Sequence, residues 1–382
     1  MLLNYQCIQR AKQSNRACEM IIYIIPVIAV LISTYTFHDK RATVICFLVF
    51  AWLLLAVRDL NMGMRDTLGT YYSLFQRVHV ASFSDLINGS LGFNSILFTL
   101  SMKLYQMVFG SYYQGYIALN AFFILGGLCI GIIRNNMISD EHDALIVCIA
   151  FYAMLYPFMF TLIRQYTAIA VLFAASYPAL RNRNKWGFLI STVIAGLVHS
   201  TALIVLLLYP CVCLLRFSKR WLIVVAISSL VGILLPEIII KMLDMLPFLD
   251  QRMRFVESGV YGLNTQGVGY GSLLLYFALL LYFVHLFSFR EIGEKYNDLV
   301  WMLGFAIIFQ AWSHVIVEFY RVSMYFSISI PLLIVLMPWR KNGCKHNEVG
   351  DIVVCLMFLM YFYSSVAVSA NILPYAFASS LY

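Results

Sequence analysis

The chain has 382 residues, of which 62% are hydrophobic and 12% charged. Soluble domains carry about a quarter charged residues, so these figures exclude an ordinary soluble protein and indicate a polytopic membrane protein forming one domain over residues 1–382. The net charge of +8 fits the basic cytoplasmic loops of a membrane bundle and gives no reason to expect nucleic acid as a partner.

The polar start, "MLLNYQCIQRAKQSNRACE", does not read as a cleavable signal peptide. Crossing a bilayer takes roughly 20 apolar residues at 1.5 Å each. Apolar runs recur near 20–36, 42–57, 92–110, 116–133, 144–161, 165–180, 187–215, 221–241, 271–288, 297–316, 322–338 and 351–370. The expected fold is therefore all-α, a polytopic integral membrane helical bundle of about 12 spans. Six cysteines (Cys46, Cys129, Cys148, Cys211, Cys213, Cys355) fall in these runs without metal-site or disulfide spacing. They read as small packing residues, so no metal and no cofactor is expected.

The first polar insertion, 58–91, is the longest. A cytoplasmic N-terminus and strict counting put it inside. It faces out if 92–110 lies along the interface, which Lys103 and the connector "GSYYQG" allow, or if the N-terminus is outside. Basic clusters "RNRNK" (181–185), "RFSKR" (216–220) and "WRKNGCK" (339–345) are assigned to the cytoplasm. The segment 187–215 between the first two must then enter and return, as a broken helical hairpin turning at His199, Ser200 and Thr201. Broken backbone at that depth needs protein or a hydrated cavity around it. The run 165–180 ends at the first cluster, so Arg164 and Gln165 stand at the outer mouth, after Pro157 has loosened the helix before them. The 242–270 loop is extracytoplasmic on the same count.

Further on, Gln310, His314, Glu318, Arg321 and Tyr325 follow at helical spacing and would share a face of one helix. The stretch 297–338 is too long for one span, and the break is expected near "VEFYR". A buried Glu318–Arg321 ion pair is the plain reading; a role with substrate is the other. Arginines at such a site suit a diphosphate, whose oxygens accept bidentate charge-assisted bonds. A carboxylate or imidazole suits removal of a proton from a hydroxyl. The chain has no Walker loop, HExxH helix or GxSxG elbow.

These residues resemble the signature of the EpsG/Wzy-type polysaccharide polymerase family. Arg164, Gln165 and Ala168 match its Arg-Gln-x-x-Ala helix start, and Val198, His199, Ser200 and Ala202 match its histidine turn. Arg321, Tyr325 and Phe326 resemble a later family segment. Arg58, Gly63, Asp66 and Tyr71 or Tyr72 resemble its first-loop pattern, although two residues separate Gly63 from Asp66 where the family has one. The acidic residue that precedes Gly-Phe in the family is also missing before Gly92 and Phe93.

The resemblance implies a glycosyltransferase of a bacterial inner membrane, and a GT-C-like bundle with a catalytic aspartate in an outward-facing first loop. Its substrates would be polyprenyl-diphosphate-linked oligosaccharides, joined into O-antigen, capsular or exopolysaccharide. Asp66 or His199 would be the base. Arg58, Arg164, Gln165, His314, Glu318, Arg321 and Tyr325 would bind substrate, with membrane lipid, a chain-length regulator and a flippase as partners. The alternatives are a flippase or transporter of lipid-linked sugars, which would show repeated halves, and a membrane O-acyltransferase with His199 as base.

Overall fold

The computed structural model describes residues 22–62, 66–91, 95–244, 270–313, 315–316, 318–336, 348–363, 372, 375 and 377. His314, the cluster 339–345 and the 245–269 part of the expected outer loop lie outside the described residues. The fold is all-helical: 84% is helix, and the described residues contain no strand. Two compact units are present. The first is built from Met1–Pro178, Phe188–Ser200 and Cys344–Tyr382, the second from Ala179–Gly187 and Thr201–Gly343.

In the first unit, α1 (Ile25–Phe37) and α2 (Lys40–Ala56) are joined by a tight turn. His38 closes α1 in the left-handed region (φ 48°), and Asp39 caps α2 by accepting from the Ala42 amide at 2.9 Å. The insertion expected as a polar loop is largely helical: a π-helical stretch Asp66–Tyr72, then α3 (Ser73–Val80) and α4 (Phe83–Ile87). Ser82 and Asp85 form a reciprocal capping box at α4. The hydroxyl and amide of Ser82 hold the Asp85 carboxyl below the usual carboxylate range.

Next come α5 (Ile96–Phe109), α6 (Tyr113–Arg134) and α7 (Glu141–Met154). Every residue of α7 from His142 to Met154 is buried. A helix apolar all round belongs inside its bundle, and α7 is covered by α1, α2 and α17 (Glu348–Tyr361).

The expected loosening at Pro157 is present: α7 stops, a 3-10 turn runs Tyr156–Phe160, and α8 (Ile163–Val171) begins anew. α8 runs on through a π-helical stretch, Leu172–Ser176. Close packing of this run on α6 depends on missing side chains. A Cβ at Gly127 would meet Ala170, and one at Gly131 would meet the Phe173 ring. This is the small-x-x-x-small spacing that brings membrane helices together. α9 (Lys185–Val198) ends at His199, where the expected break falls. Its Ser191 hydroxyl is bonded to Ser176 at 2.8 Å.

In the second unit, a 3-10 stretch (Ser200–Leu207) leads into α10 (Leu208–Leu214), α11 (Lys219–Leu234) and α12 (Pro236–Asp244). α13 (Tyr270–Leu286) meets the helical run Phe289–Trp312 at a bend of 107°. The last part of that run is α14 (Asn297–Trp312), the unit's buried centre. Asn297 fixes its start by bonding Phe217 N, Val212 O and Leu215 O at 2.8–2.9 Å.

α15 (Glu318–Ser327) turns back along α14: Phe319 packs on Phe309 and Trp312, while Phe326 packs on Phe305 and Phe309. α16 (Ser329–Val335) follows. The break expected near "VEFYR" is present, between the end of α14 at Trp312 and the start of α15 at Glu318. Gln310 is on α14, whereas Glu318, Arg321 and Tyr325 are on α15, so the five-residue stripe does not share one helix face.

Among the described residues only α6 is by itself long and apolar enough to cross a membrane, with the bent 270–312 pair as a second case. Three of the other apolar runs are divided by breaks at 155, 199 and 235, and others, such as α1 and α5, are unbroken but shorter.

The glycine seam yields a stability test. Gly131→Val should cost about 1–3 kcal/mol through overpacking and lower the midpoint of thermal unfolding of the detergent-solubilised chain. Gly126→Ala, where a Cβ meets nothing within 4 Å, should hold or raise it, since alanine is the better helix former.

Candidate functional site

α2 ends at Ala56, and Arg58 follows two residues later. A helix C-terminus carries partial negative charge and orphan carbonyls, so a cation is better placed here than elsewhere in an apolar interior. Two of those carbonyls are taken by other side chains. The Tyr375 hydroxyl donates to Leu54 O at 2.7 Å, and Gln114 Nε2 donates to Ala56 O at 2.6 Å and to Arg58 O at 3.2 Å.

Arg58 itself is 0% exposed. Its guanidinium lies over the Phe160 ring, 4.5 Å from the centroid, among Tyr23, Tyr113, Tyr156 and Tyr375. Its Nε and Nη1 have no acceptor among the described residues. Arg58 lines a cavity of about 10 Å³ together with Leu55, Asn120, Met159 and Ile163.

Arg164 stands in the first turn of α8, the positive end of a helix, which does not favour a cation. The half-buried side chain is held by two groups brought in from the 58–95 region. Its Nη1 donates to Ser95 Oγ at 3.1 Å, and its guanidinium lies 5.4 Å from the Tyr71 ring centroid. The sequence left Tyr71 and Tyr72 equal; the structure places Tyr71, buried, beneath the arginine. Tyr71 lies in the same π-helical stretch that Asp66 opens. The tyrosine's far side packs on Phe98, which in turn meets Tyr116.

Asn120 connects the two arginine environments. It lines the Arg58 cavity and accepts from the Thr167 hydroxyl at 3.1 Å, one turn beyond Arg164 on α8. Ile163, the neighbour of Arg164, lines the same cavity. The first unit thus carries two guanidinium groups, Arg58 at this cavity and Arg164 on the helix whose Thr167 bonds Asn120. Gln165 is buried beside Arg164. His199 is half-buried where α9 ends, its amide bonded to Ala195 O at 2.9 Å.

In the second unit Arg321 is half-buried on α15, and Tyr325, one turn on, is fully buried. The Tyr325 hydroxyl shares a 3.0 Å hydrogen bond with Thr201, two residues after His199.

Ser95, Gln114 and Asn120 are site-building residues that the sequence reading passed over. A signal for them existed: an amide inside an apolar helix, as in α6, is costly at membrane depth unless it has work to do there.

The sequence model of the EpsG family matches residues 41–377, most of the chain. The chain belongs to the EpsG family. Membership associates it with polysaccharide polymerisation, with a membrane and with lipid-linked saccharides. No curated protein and no solved structure gives a significant match. The EpsG match includes Arg58, Asp66, Arg164, His199 and Arg321, and it extends to Phe377, which pairs with Arg58 through an isolated antiparallel backbone bridge.

The Tyr71 platform in this EpsG protein can be tested directly. A cation–π contact of this kind contributes about 0.5–2 kcal/mol, so Tyr71→Leu should reduce the polysaccharide formed in cells by roughly 2- to 30-fold. Tyr72→Leu should reduce it much less.

Proposed function

We propose that this protein polymerises lipid-linked oligosaccharide repeat units into O-antigen, capsular or exopolysaccharide at the outer face of a bacterial inner membrane. The donor is the growing chain on polyprenyl diphosphate. A hydroxyl of the incoming lipid-linked unit attacks the anomeric carbon of the donor sugar, its proton passes to a base, and polyprenyl diphosphate leaves with the bonding electrons. Negative charge grows on the leaving diphosphate as the bond breaks, and preorganised cations stabilise that charge most where water is excluded.

The observation that carries this reading is the pair of guanidinium groups in the first unit, Arg58 fully buried and Arg164 held by Tyr71 and Ser95. Arginine suits a diphosphate through its planar fork of donors. Gln165 supports Arg164. Asp66, in the stretch that carries Tyr71, or His199, at the helix break, takes the proton. In the second unit Arg321, oriented by Glu318, and Tyr325 are further binding groups for the lipid-linked chain, with His314 beside them in sequence.

About twelve membrane crossings fit a chain in which spans are assembled from short pieces. Breaks such as those at 155, 199 and 235 divide the runs that composition would read as single spans. Irregular backbone at such depth is tolerated where protein surrounds it or a cavity hydrates it.

A deletion strain tests the function. Lipid carrying single repeat units at the outer face is the expected product. Units retained inside would point to a flippase, and full-length polymer lacking an acyl group to an acyltransferase.

The base is tested by isosteric changes: Asp66→Asn should abolish polymer if the aspartate takes the proton, and His199→Gln should do so if the histidine does. Normal polymer from both would remove both from the mechanism.

Arg164→Lys keeps the charge and loses the fork. It should insert normally yet reduce polymerisation roughly ten- to a hundredfold, the effect of one charge-assisted bond of about 1.5–3 kcal/mol. Wild-type chain lengths from this variant would leave Arg164 as a lipid anchor only.

A further inference from the structure

A clamp on a leaving diphosphate works only if its guanidinium is fixed before the charge develops. Arg164 stands in the first turn of α8, so its place depends on how that turn is anchored and on what holds the side chain. Both holds on the side chain lead to the first turn of α5. Ser95 is the N-cap residue of α5, yet its hydroxyl caps no amide and accepts from Arg164 Nη1 instead. Phe98 backs the Tyr71 ring that lies beneath the guanidinium.

One run of hydrogen bonds joins that turn of α5 to α6, and then to α8. The Ser101 hydroxyl donates to Phe98 O at 2.7 Å, which leaves its oxygen to accept from the Tyr116 hydroxyl at 3.0 Å. The Tyr116 oxygen in turn bonds the side chain of Asn120, one turn on along α6, with the amide NH2 as donor. The other end of the amide serves α8. The Thr167 hydroxyl lies 3.1 Å from Asn120 Oδ1 and 2.8 Å from Ile163 O, so its one proton is shared between them. The path therefore returns to the turn that carries Arg164. Ser95, Tyr116 and Asn120 are buried. An amide used at both ends inside an apolar bundle holds its neighbours in one arrangement, because breaking either bond strands a polar group away from water.

We propose that Asn120 is a positioning residue for polymerisation: its amide fixes the turn that carries Arg164 against the turn that supplies Ser95 and Phe98. It acts through Arg164, by setting where the guanidinium fork points as the diphosphate leaves. That role rests on the polymerase reading; the clamp between α8 and α5 does not. Loss of Asn120 and loss of the Arg164 fork then damage the same step, so their effects should not multiply.

The test measures polymer made per inserted chain when each variant is returned to the deletion strain. Thr167→Val keeps the shape and removes one hydroxyl, and Tyr116→Phe removes the other. One neutral hydrogen bond shifts an equilibrium by roughly 2- to 12-fold, so each variant should lower polymer within that range. Asn120→Leu breaks both bonds and should lower it further. Thr167→Ser keeps the hydroxyl and should restore most of the loss seen with valine. In an Arg164→Lys background, Asn120→Leu should cost less than about twofold more. An amide that matters only to the fold would multiply its loss with that of Arg164→Lys, and that outcome overturns the positioning role. Wild-type polymer from Asn120→Leu overturns it as well.

Hydrogen exchange of the full chain in nanodiscs reads the clamp without any reaction. Asn120→Leu should raise exchange in α8 and in the first turn of α5, and leave α14 of the second unit as it was. Unchanged exchange in α8 overturns the clamp itself. Raised exchange with normal polymer overturns the part of Asn120 in the reaction and leaves the clamp as a contact of the fold. A deletion strain that behaves as a flippase or acyltransferase mutant removes the polymerase reading and the positioning role with it, while the exchange result still decides whether Asn120 holds the Arg164 turn.

Discussion

The first unit depends on how the end of α2 is satisfied. A helix that stops inside an apolar environment leaves carbonyls without partners, and no water is at hand to serve them. Here the solution is side-chain donors. Tyr375 bonds Leu54 O and Gln114 bonds Ala56 O, while Tyr156 adds a bond to Ala51 O about one turn earlier. Each donor comes from a different part of the chain, so the same bonds that quiet the helix end also fix those parts around it. Arg58 exists at this point because the residual field of the helix end and the face of Phe160 both favour a cation. Tyr152, bonding Tyr23 O, and Trp52, bonding Ala118 O, extend the same device outward.

The second unit shows the same economy with a different partner set. Asn297 spends its amide on three backbone groups at the 212–217 turn, and Trp312 donates to Ser228 O. Between them α14 is fixed at both ends, one by an amide and one by an indole. Gly232 leaves room for the Trp312 ring. The reversal between Trp312 and Glu318 then sets Arg321 and Tyr325 on their own helix rather than on an extension of α14.

Much of this was legible in the sequence where the signal was local. An arginine interrupting an apolar run marked the start of α8, Pro157 marked the break before it, and the polar triplet at His199 marked the end of α9. Gln310 to Tyr325 kept helical spacing across a turn, and it was the length of 297–338, not the spacing, that called for the break between them. Nor could spacing choose Tyr71 over Tyr72, which differ only in the face they present. The burial of Arg58 was beyond reach for another reason. Tyr23 and Tyr375 beside it are held by bonds spanning 349 and 321 residues of sequence, and nothing near position 58 announces a partner so far away.

That separation has a consequence for how the protein is made. A chain synthesised from its N-terminus completes α1 and α2 long before Tyr375 exists. Until then Leu54 O lacks its Tyr375 donor, so the end of α2 is completed only after residue 375 has been made. Nascent chains therefore carry this half-finished helix end until residue 375 has been added. The closing tyrosine then acts as the clasp of assembly: a truncation just ahead of residue 375 would leave nearly all helices intact and yet remove the act that completes them.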